Sequence, residues 1–143
     1  MNAILRFLSA VAVILSLGGL ARAGDVAAAD QEAFKSIIAS QLDAFQHDDG
    51  AAAYSYASPT IKGIFPSPEQ FMAMVRNAYQ PVYRPQSVTF GPVADTPVGP
   101  TMKVFLTGPD GKSYVALYTM QRQPDGTWKI NGCVLLEDNS PTI

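Results

Sequence analysis

The amino-acid sequence predicts an α+β domain in which N-terminal helices pack on a four-stranded antiparallel sheet. Between Asp30 and Tyr79, apolar residues recur at spacings of three and four, which is typical of helices with one buried face. After Pro81 the chain is rich in Val, Tyr, Phe and Thr, which favour strands. Short turn-forming segments at 108–111 and 124–126 indicate that neighbouring strands are antiparallel. Helices that precede an antiparallel meander pack against one face of its sheet.

Residues 1–23 have the layout of a secretory signal peptide. Arg6 gives a positive start, residues 7–20 form an uncharged apolar run, and Ala21 and Ala23 place small side chains before the expected cleavage point. The apolar run has 14 residues, fewer than the roughly 20 that span a bilayer. We therefore expect a periplasmic or secreted bacterial protein that has no stable membrane anchor after cleavage.

Length and composition restrict the class of protein. At 143 residues the chain has room for one domain, predicted at 30–139, after a flexible leader at 24–29 and before a tail at 140–143. The formal net charge of −2 disfavours nucleic-acid binding, which needs a basic surface. One His and one Cys exclude an intrachain disulfide and a structural zinc site. We predict no metal, no cofactor and no nucleic-acid partner.

The first helix is predicted to begin at Asp30. Its apolar stripe consists of Phe34, Ile37, Ile38, Leu42 and Phe45. Asp43 and His47 lie on the opposite face, one turn apart, so we interpret them as a surface i,i+4 pair and not as a catalytic dyad.

Further helical segments, one of them only a short turn after Ser58, are predicted from their N-terminal signals, giving two or three N-terminal helices in all. The Asp48–Asp49–Gly50 sequence ends the first helix and can cap a second one at 51–57. Ser58–Pro59 and Ser67–Pro68 each combine a capping Ser with a Pro at the first helical position. The helix that follows Ser67 carries Phe71, Met74, Val75, Ala78 and Tyr79 on one face and is expected to stop at Pro81.

Four strands are predicted at 82–90, 101–107, 112–122 and 127–137. Residues 91–100 contain three prolines and two glycines and are predicted to form a loop. In the last strand, strict alternation predicts that Trp128 is a core anchor and shares a face with Ile130, Val134 and Leu136. The neighbouring Cys133 is interpreted as a small buried hydrophobic residue.

Several segments of the chain resemble a known family. The order of helices and strands, with the ending Asp-Gly-Thr-Trp-Lys-Ile at 125–130, resembles the nuclear transport factor 2-like, cystatin-like cone fold. Segments 41–45, 57–59, 79–84 and 118–126 resemble a family of secreted bacterial proteins catalogued as domain of unknown function 4864. The resemblance implies a curved, cone-shaped sheet and export. It implies no catalytic residues, because that family has no assigned activity.

The resemblance to cone folds implies a pocket between the helices and the concave face of the sheet, and this pocket is the candidate site. Tyr114, Tyr118 and Arg122 share one face of the third strand and offer hydrogen-bond donors. The preceding helix is expected to supply its apolar side through Phe71, Met74 and Tyr79. These residues predict a site for a small polar or anionic ligand.

The opposite face of the third strand is also apolar. An antiparallel sheet with one wet face alternates more cleanly than this strand does. Val115 and Leu117 are therefore expected to face a second subunit, which predicts a homodimer through the outer face of the sheet.

Acidic residues fall at helix starts and in turns, so no buried carboxylate that could act as a base is evident. We therefore predict a non-catalytic module that binds a small ligand or a partner protein. The alternative is a small cofactorless cone-fold enzyme of the isomerase, dehydratase or hydrolase type.

Overall fold

The structure, a computed structural model, describes residues 25–139 and confirms the predicted α+β class. Helices precede a four-stranded antiparallel sheet of order β1-β2-β3-β4. In the described residues the elements are α1 Ala28–Gln46, α2 Gly50–Ser55, α3 Pro59–Ile64, α4 Pro68–Ala78, α5 Gln80–Tyr83, β1 Ser87–Thr96, β2 Gly99–Thr107, β3 Ser113–Arg122 and β4 Trp128–Glu137. The predicted signal peptide at 1–23 and tail at 140–143 lie outside these residues. Among the helices just given, none has the length and apolar character needed to cross a membrane.

The helix starts follow the capping signals of the sequence. The side chains of Asp49, Ser58 and Ser67 accept hydrogen bonds from backbone N–H groups three residues on, at 3.1, 3.3 and 3.2 Å. Helix α1 begins at Ala28, two residues before the predicted start and inside the range predicted as leader. These capped starts fix where the chain turns between the short helices.

Asp43 and His47 form the predicted surface pair on α1. His47 Nδ1 lies 3.6 Å from Asp43 Oδ1, and both side chains are exposed. The pair therefore faces water and not the core.

The first predicted strand begins later than expected. Val82 is buried within the short helix α5, and β1 starts only at Ser87. The physical reason is that Pro81 occupies the first turn of α5, where its missing N–H group leaves no hydrogen bond unmade. Helix α4 ends before Pro81, as predicted, but Pro81 then lies in the first turn of a further short helix and not at the start of a strand.

The predicted loop at 91–100 is mostly strand, since β1 continues to Thr96. Its pairing with β2 shifts by a bulge between Phe90 and Val93, and an edge strand with a bulge accommodates Pro92 without losing a ladder bond. Gly91 is needed there because a Cβ atom would lie 2.6 Å from the Phe105 ring. The turn is thus confined to two residues between β1 and β2.

The core lies between the helices and one face of the sheet, here called the inner face. The inner-face side chains that are buried on β2 and β3 are Met102, Val104, Leu106, Ala116, Tyr118 and Met120. Helix α1 packs Phe34, Ile38 and Phe45 against them. The opposite side of the sheet is called the outer face.

A bulge in β4 changes which residues reach the inner face. Ile130 pairs with Met120 and Gly132 pairs with Thr119, so Asn131 is an extra residue without a partner across the ladder. The alternation therefore shifts by one residue, and Cys133 pairs with inner-face Tyr118. The prediction that Trp128 shares a face with Val134 and Leu136 was wrong, since these two lie on the outer face and are 55% and 47% exposed.

The free edge of β4 is linked to the connection between α2 and α3. The Ser58 backbone N–H donates to the carbonyl of Ile130, and the Ile130 N–H donates to the carbonyl of Tyr56, each at 2.8 Å. The Ser58 hydroxyl also donates to Asn131 Oδ1 at 2.7 Å. These bonds hold α3 over the inner face beside β4.

Candidate functional site

In the described part of the chain, a half-open cavity of about 300 Å³ lies between the helices and the inner face. Most of its wall is apolar, contributed by Phe45, Ala57, Ile61, Phe65, Phe71, Met74, Val75 and Ile130. The remaining lining residues are Gln41, Tyr79, Tyr118, Gly132 and Cys133. The polar atoms of the cavity therefore come from a small set of side chains.

Four of the six residues predicted for the site line this cavity. They are Phe71, Met74, Tyr79 and Tyr118. Helix α4 supplies the first two and Tyr79 follows its last residue, so the period of that helix places them on one wall. Ligand binding by these residues stays a prediction.

Tyr114 and Arg122 lie outside the cavity lining, contrary to the expectation that they share a pocket with Tyr118. Each is four residues from Tyr118 along β3, which corresponds to about 13 Å. The Tyr114 hydroxyl instead donates to Asp110 Oδ2 at 2.5 Å, and this hydrogen bond raises the pKa of Tyr114 to about 12. At the other end, the Arg122 guanidinium lies over the Trp128 ring, 5.7 Å from its centroid. Of the three residues on this face of β3, Tyr118 lines the cavity and the other two do not.

Tyr118 is the most deeply buried polar group of the cavity wall. The residue is 1% exposed, and its hydroxyl has no hydrogen-bond partner among the described residues. Burial raises the pKa of Tyr118 well above its usual value, and the Cys133 thiol next to the hydroxyl and Tyr79 raise it further. The thiol is a weak acceptor and does not replace an ordinary hydrogen-bond partner. At neutral pH the hydroxyl is therefore protonated and can donate a hydrogen bond.

Tyr79 uses its hydroxyl within the protein. The group donates to the backbone carbonyl of Cys133 at 3.0 Å, which ties the end of α4 to β4. Burial raises the pKa of Tyr79 as well. Its proton is thus already engaged, in contrast to that of Tyr118.

Cys133 and Gln41 line the cavity but were not predicted as site residues. Removal from water raises the pKa of the Cys133 thiol to about 12, so the thiol stays protonated and is a poor nucleophile. Gln41 is buried, and its side-chain nitrogen donates to the carbonyl of Ala53 at 3.1 Å. A signal for Gln41 was available, because it interrupts the apolar stripe between Ile38 and Phe45. Cys133 faces inward only because of the bulge, for which the sequence carries no evident signal.

The cavity wall is electrically neutral at pH 7. Its lining contains no Asp, Glu, His, Lys or Arg. Across residues 25–139, no group of three or more His, Cys, Asp or Glu side chains is arranged to hold a metal ion. The arrangement can therefore bind apolar surface and donate a hydrogen bond, and it offers no carboxylate or imidazole as a general base.

Comparison with known proteins identifies a family. Residues 27–143 match the model of the family described as "Domain of unknown function (DUF4864)". The chain belongs to this family. The match covers the whole described domain except its first two residues, so the cavity lies within the part that defines DUF4864. No curated protein and no solved structure is significantly similar to the chain.

Proposed function

We propose that the protein is a binding module that takes up a small, mainly apolar molecule in the cavity. The observation that carries this proposal is the cavity of about 300 Å³, lined mainly by aromatic and aliphatic side chains. This volume lies at the lower end of the range of small-molecule sites, which are typically apolar with a few polar groups. Burial of apolar ligand surface against this wall would supply the binding free energy.

An enzymatic role is the second candidate and has less support. The isomerase, dehydratase and hydrolase reactions considered from the sequence need a group that accepts a proton. The hydroxyls and the thiol of the lining are held in their protonated forms by burial. A protonated wall favours binding without turnover.

Two expectations from the sequence complete the proposal. Export is supported by the charged, apolar and small-residue order of residues 1–23, which would place the module in the periplasm or outside the cell. Membership of the nuclear transport factor 2-like superfamily is supported by the order of helices and strands and by a cavity on one face of the sheet. Export and superfamily membership are both parts of the proposal.

Methionine methyl groups give a direct test of binding. Met74 lines the cavity, whereas Met72, on the same helix, is buried and does not line it. In methyl NMR spectra of protein labelled at methionine, ethylbenzene should shift the Met74 signal through its ring current and leave the Met72 signal nearly unchanged. Ethylbenzene is chosen because dry apolar cavities bind small aromatic hydrocarbons.

A pair of matched variants controls for surface binding. Ala57→Leu adds three carbons to the cavity wall and should weaken the ethylbenzene-induced shift. Ala39→Leu makes the same change on the exposed side of α1 and should leave the shift intact. Absence of any Met74 shift near the solubility limit of ethylbenzene would contradict the proposed function.

A further inference from the structure

We propose that the cavity selects uncharged molecules that carry one hydrogen-bond acceptor of the carbonyl type, and that this acceptor is bound by the Tyr118 hydroxyl. The inference rests on the proposed function, since it specifies the ligand class of the same cavity. It goes beyond that function by stating which atom of the protein recognises which atom of the ligand.

The first step is the unpaired state of the Tyr118 hydroxyl. Buried polar groups in folded proteins nearly always have a hydrogen-bond partner, because an unpaired group loses its bond to water without replacement. Tyr118 is 1% exposed, and its hydroxyl has no partner of ordinary hydrogen-bond geometry among the described residues. The polar group beside it is the Cys133 thiol, which is only a weak acceptor. Tyr118 also lines the cavity, and contact between its buried hydroxyl and a bound molecule is part of the proposal.

The second step is the direction of the hydrogen bond. A protonated phenol donates a hydrogen bond, so its missing partner is an acceptor. Tyr79 does not compete, because its own proton goes to the carbonyl of Cys133 at 3.0 Å. The polar atom of the ligand is therefore an acceptor that lies against the β3–β4 wall, while the rest of the molecule contacts Phe71 and Met74.

The third step is the charge of the ligand. A carboxylate in an apolar site needs a cation or several donors, and without them its burial is strongly unfavourable. The lining contains no Lys, Arg or His, and Arg122 lies over Trp128 outside the cavity. The anionic ligand expected from the sequence is therefore replaced by an uncharged one, such as a ketone, an aldehyde or an ester.

The test compares acetophenone with isopropylbenzene, two molecules of similar shape of which only the first has an acceptor. In the wild-type protein acetophenone should bind about 3- to 10-fold more tightly, the range expected for one net hydrogen bond. Benzoate, which adds a negative charge, should not bind at neutral pH. Affinities are read from the Met74 methyl shift.

Tyr118→Phe and Tyr79→Phe are matched variants, since each removes one hydroxyl from the same cavity. Tyr118→Phe should abolish the preference for acetophenone and leave the affinity for isopropylbenzene unchanged. Tyr79→Phe should retain the preference. The carbonyl stretching band of bound acetophenone should lie at lower frequency in the wild type than in Tyr118→Phe, which reports the hydrogen bond directly.

The outcomes separate the two proposals. Equal affinities for acetophenone and isopropylbenzene in the wild type would overturn the acceptor inference and leave the proposed function standing. Failure of both molecules and of ethylbenzene to bind would overturn both proposals. Preferential binding of benzoate would overturn the uncharged class. The ligand comparison on the wild type needs no variant, so it decides the question even if a variant fails to fold.

Discussion

Tyr79 and Tyr118 line the same cavity, yet their hydroxyl groups make opposite contributions to the stability of the empty protein. The Tyr79 hydroxyl is hydrogen-bonded at 3.0 Å, and the Tyr118 hydroxyl has no partner among the described residues. We expect Tyr79→Phe to lower the free energy of unfolding by about 1 kcal/mol and Tyr118→Phe to raise it by about the same amount. Urea unfolding of the two variants measures this. A Tyr118→Phe protein as destabilised as Tyr79→Phe would show that the Tyr118 hydroxyl has a partner in the folded state.

The sequence predicted those site residues whose side-chain direction follows from the period of a helix or strand alone. Phe71 and Met74 follow the period of α4, and Tyr118 follows the alternation of β3. The same alternation could not separate Tyr118 from Arg122, because it gives the face of a strand and not the position along it. Cys133 was missed for a different reason, since its inward direction depends on the bulge next to Asn131.

Trp128 connects the last strand to the first helix. Its ring packs edge-on against Phe34 with centroids 4.8 Å apart, and its indole N–H donates to Asp30 Oδ1 at 3.3 Å. Trp128→Ala should lower the free energy of unfolding by about 3 kcal/mol, because it removes a large side chain from the packing of α1 on β4. Asp30→Ala removes the hydrogen bond and the negative charge in the first turn of α1, and should cost about 1 kcal/mol.

Thermal or urea unfolding measures both changes, and Trp128→Phe is the control that keeps an aromatic ring against Phe34. Its loss of stability should fall between those of the other two variants. A Trp128→Ala protein as stable as the wild type would refute the role of Trp128 as an anchor between the two elements.

Among the secondary-structure elements, the starts of helices were predicted better than the bulges and the extent of the strands. A capping side chain bonds to the backbone within three positions, so Ser58 and Ser67 can be recognised as helix starts without knowledge of the fold. The continuation of β1 past Gly91 depends on how an edge strand pairs with β2 and on space for the Phe105 ring. That information lies in contacts between strands and not in the local sequence.

The outer face of the sheet is apolar at its centre. Phe105, Val115 and Leu136 pair in one row across three strands. The next row consists of Lys103, Leu117 and Val134, so one charged side chain borders the apolar row. Phe105 is 38% exposed and Val134 is 55% exposed. We retain the prediction that a second copy of the chain covers this face in a homodimer.

Analytical ultracentrifugation tests the dimer. Val115→Asp places a charge in the middle of the apolar row and should convert a dimer into a monomer, because an unpaired buried carboxylate is unfavourable. Val98→Asp is the matched control, since Val98 is 73% exposed in the turn between β1 and β2, outside the face. A wild-type protein that sediments as a monomer at high concentration, or equal dissociation by both variants, would contradict the prediction.

The two edge strands of the sheet, β1 and β4, determine whether it can add strands from other chains and form fibrils. A strand with a long unpaired edge can template strands of other chains, and native proteins interrupt such edges with bulges, prolines or covering segments. On one side β1 carries a bulge with Pro92, and on the other the segment at 56–58 occupies the ladder bonds of Ile130. Both edges are therefore interrupted, which shortens the backbone that is open to strand addition. We expect these interruptions to hinder growth of the sheet in its own plane, while the outer face stays accessible to a partner.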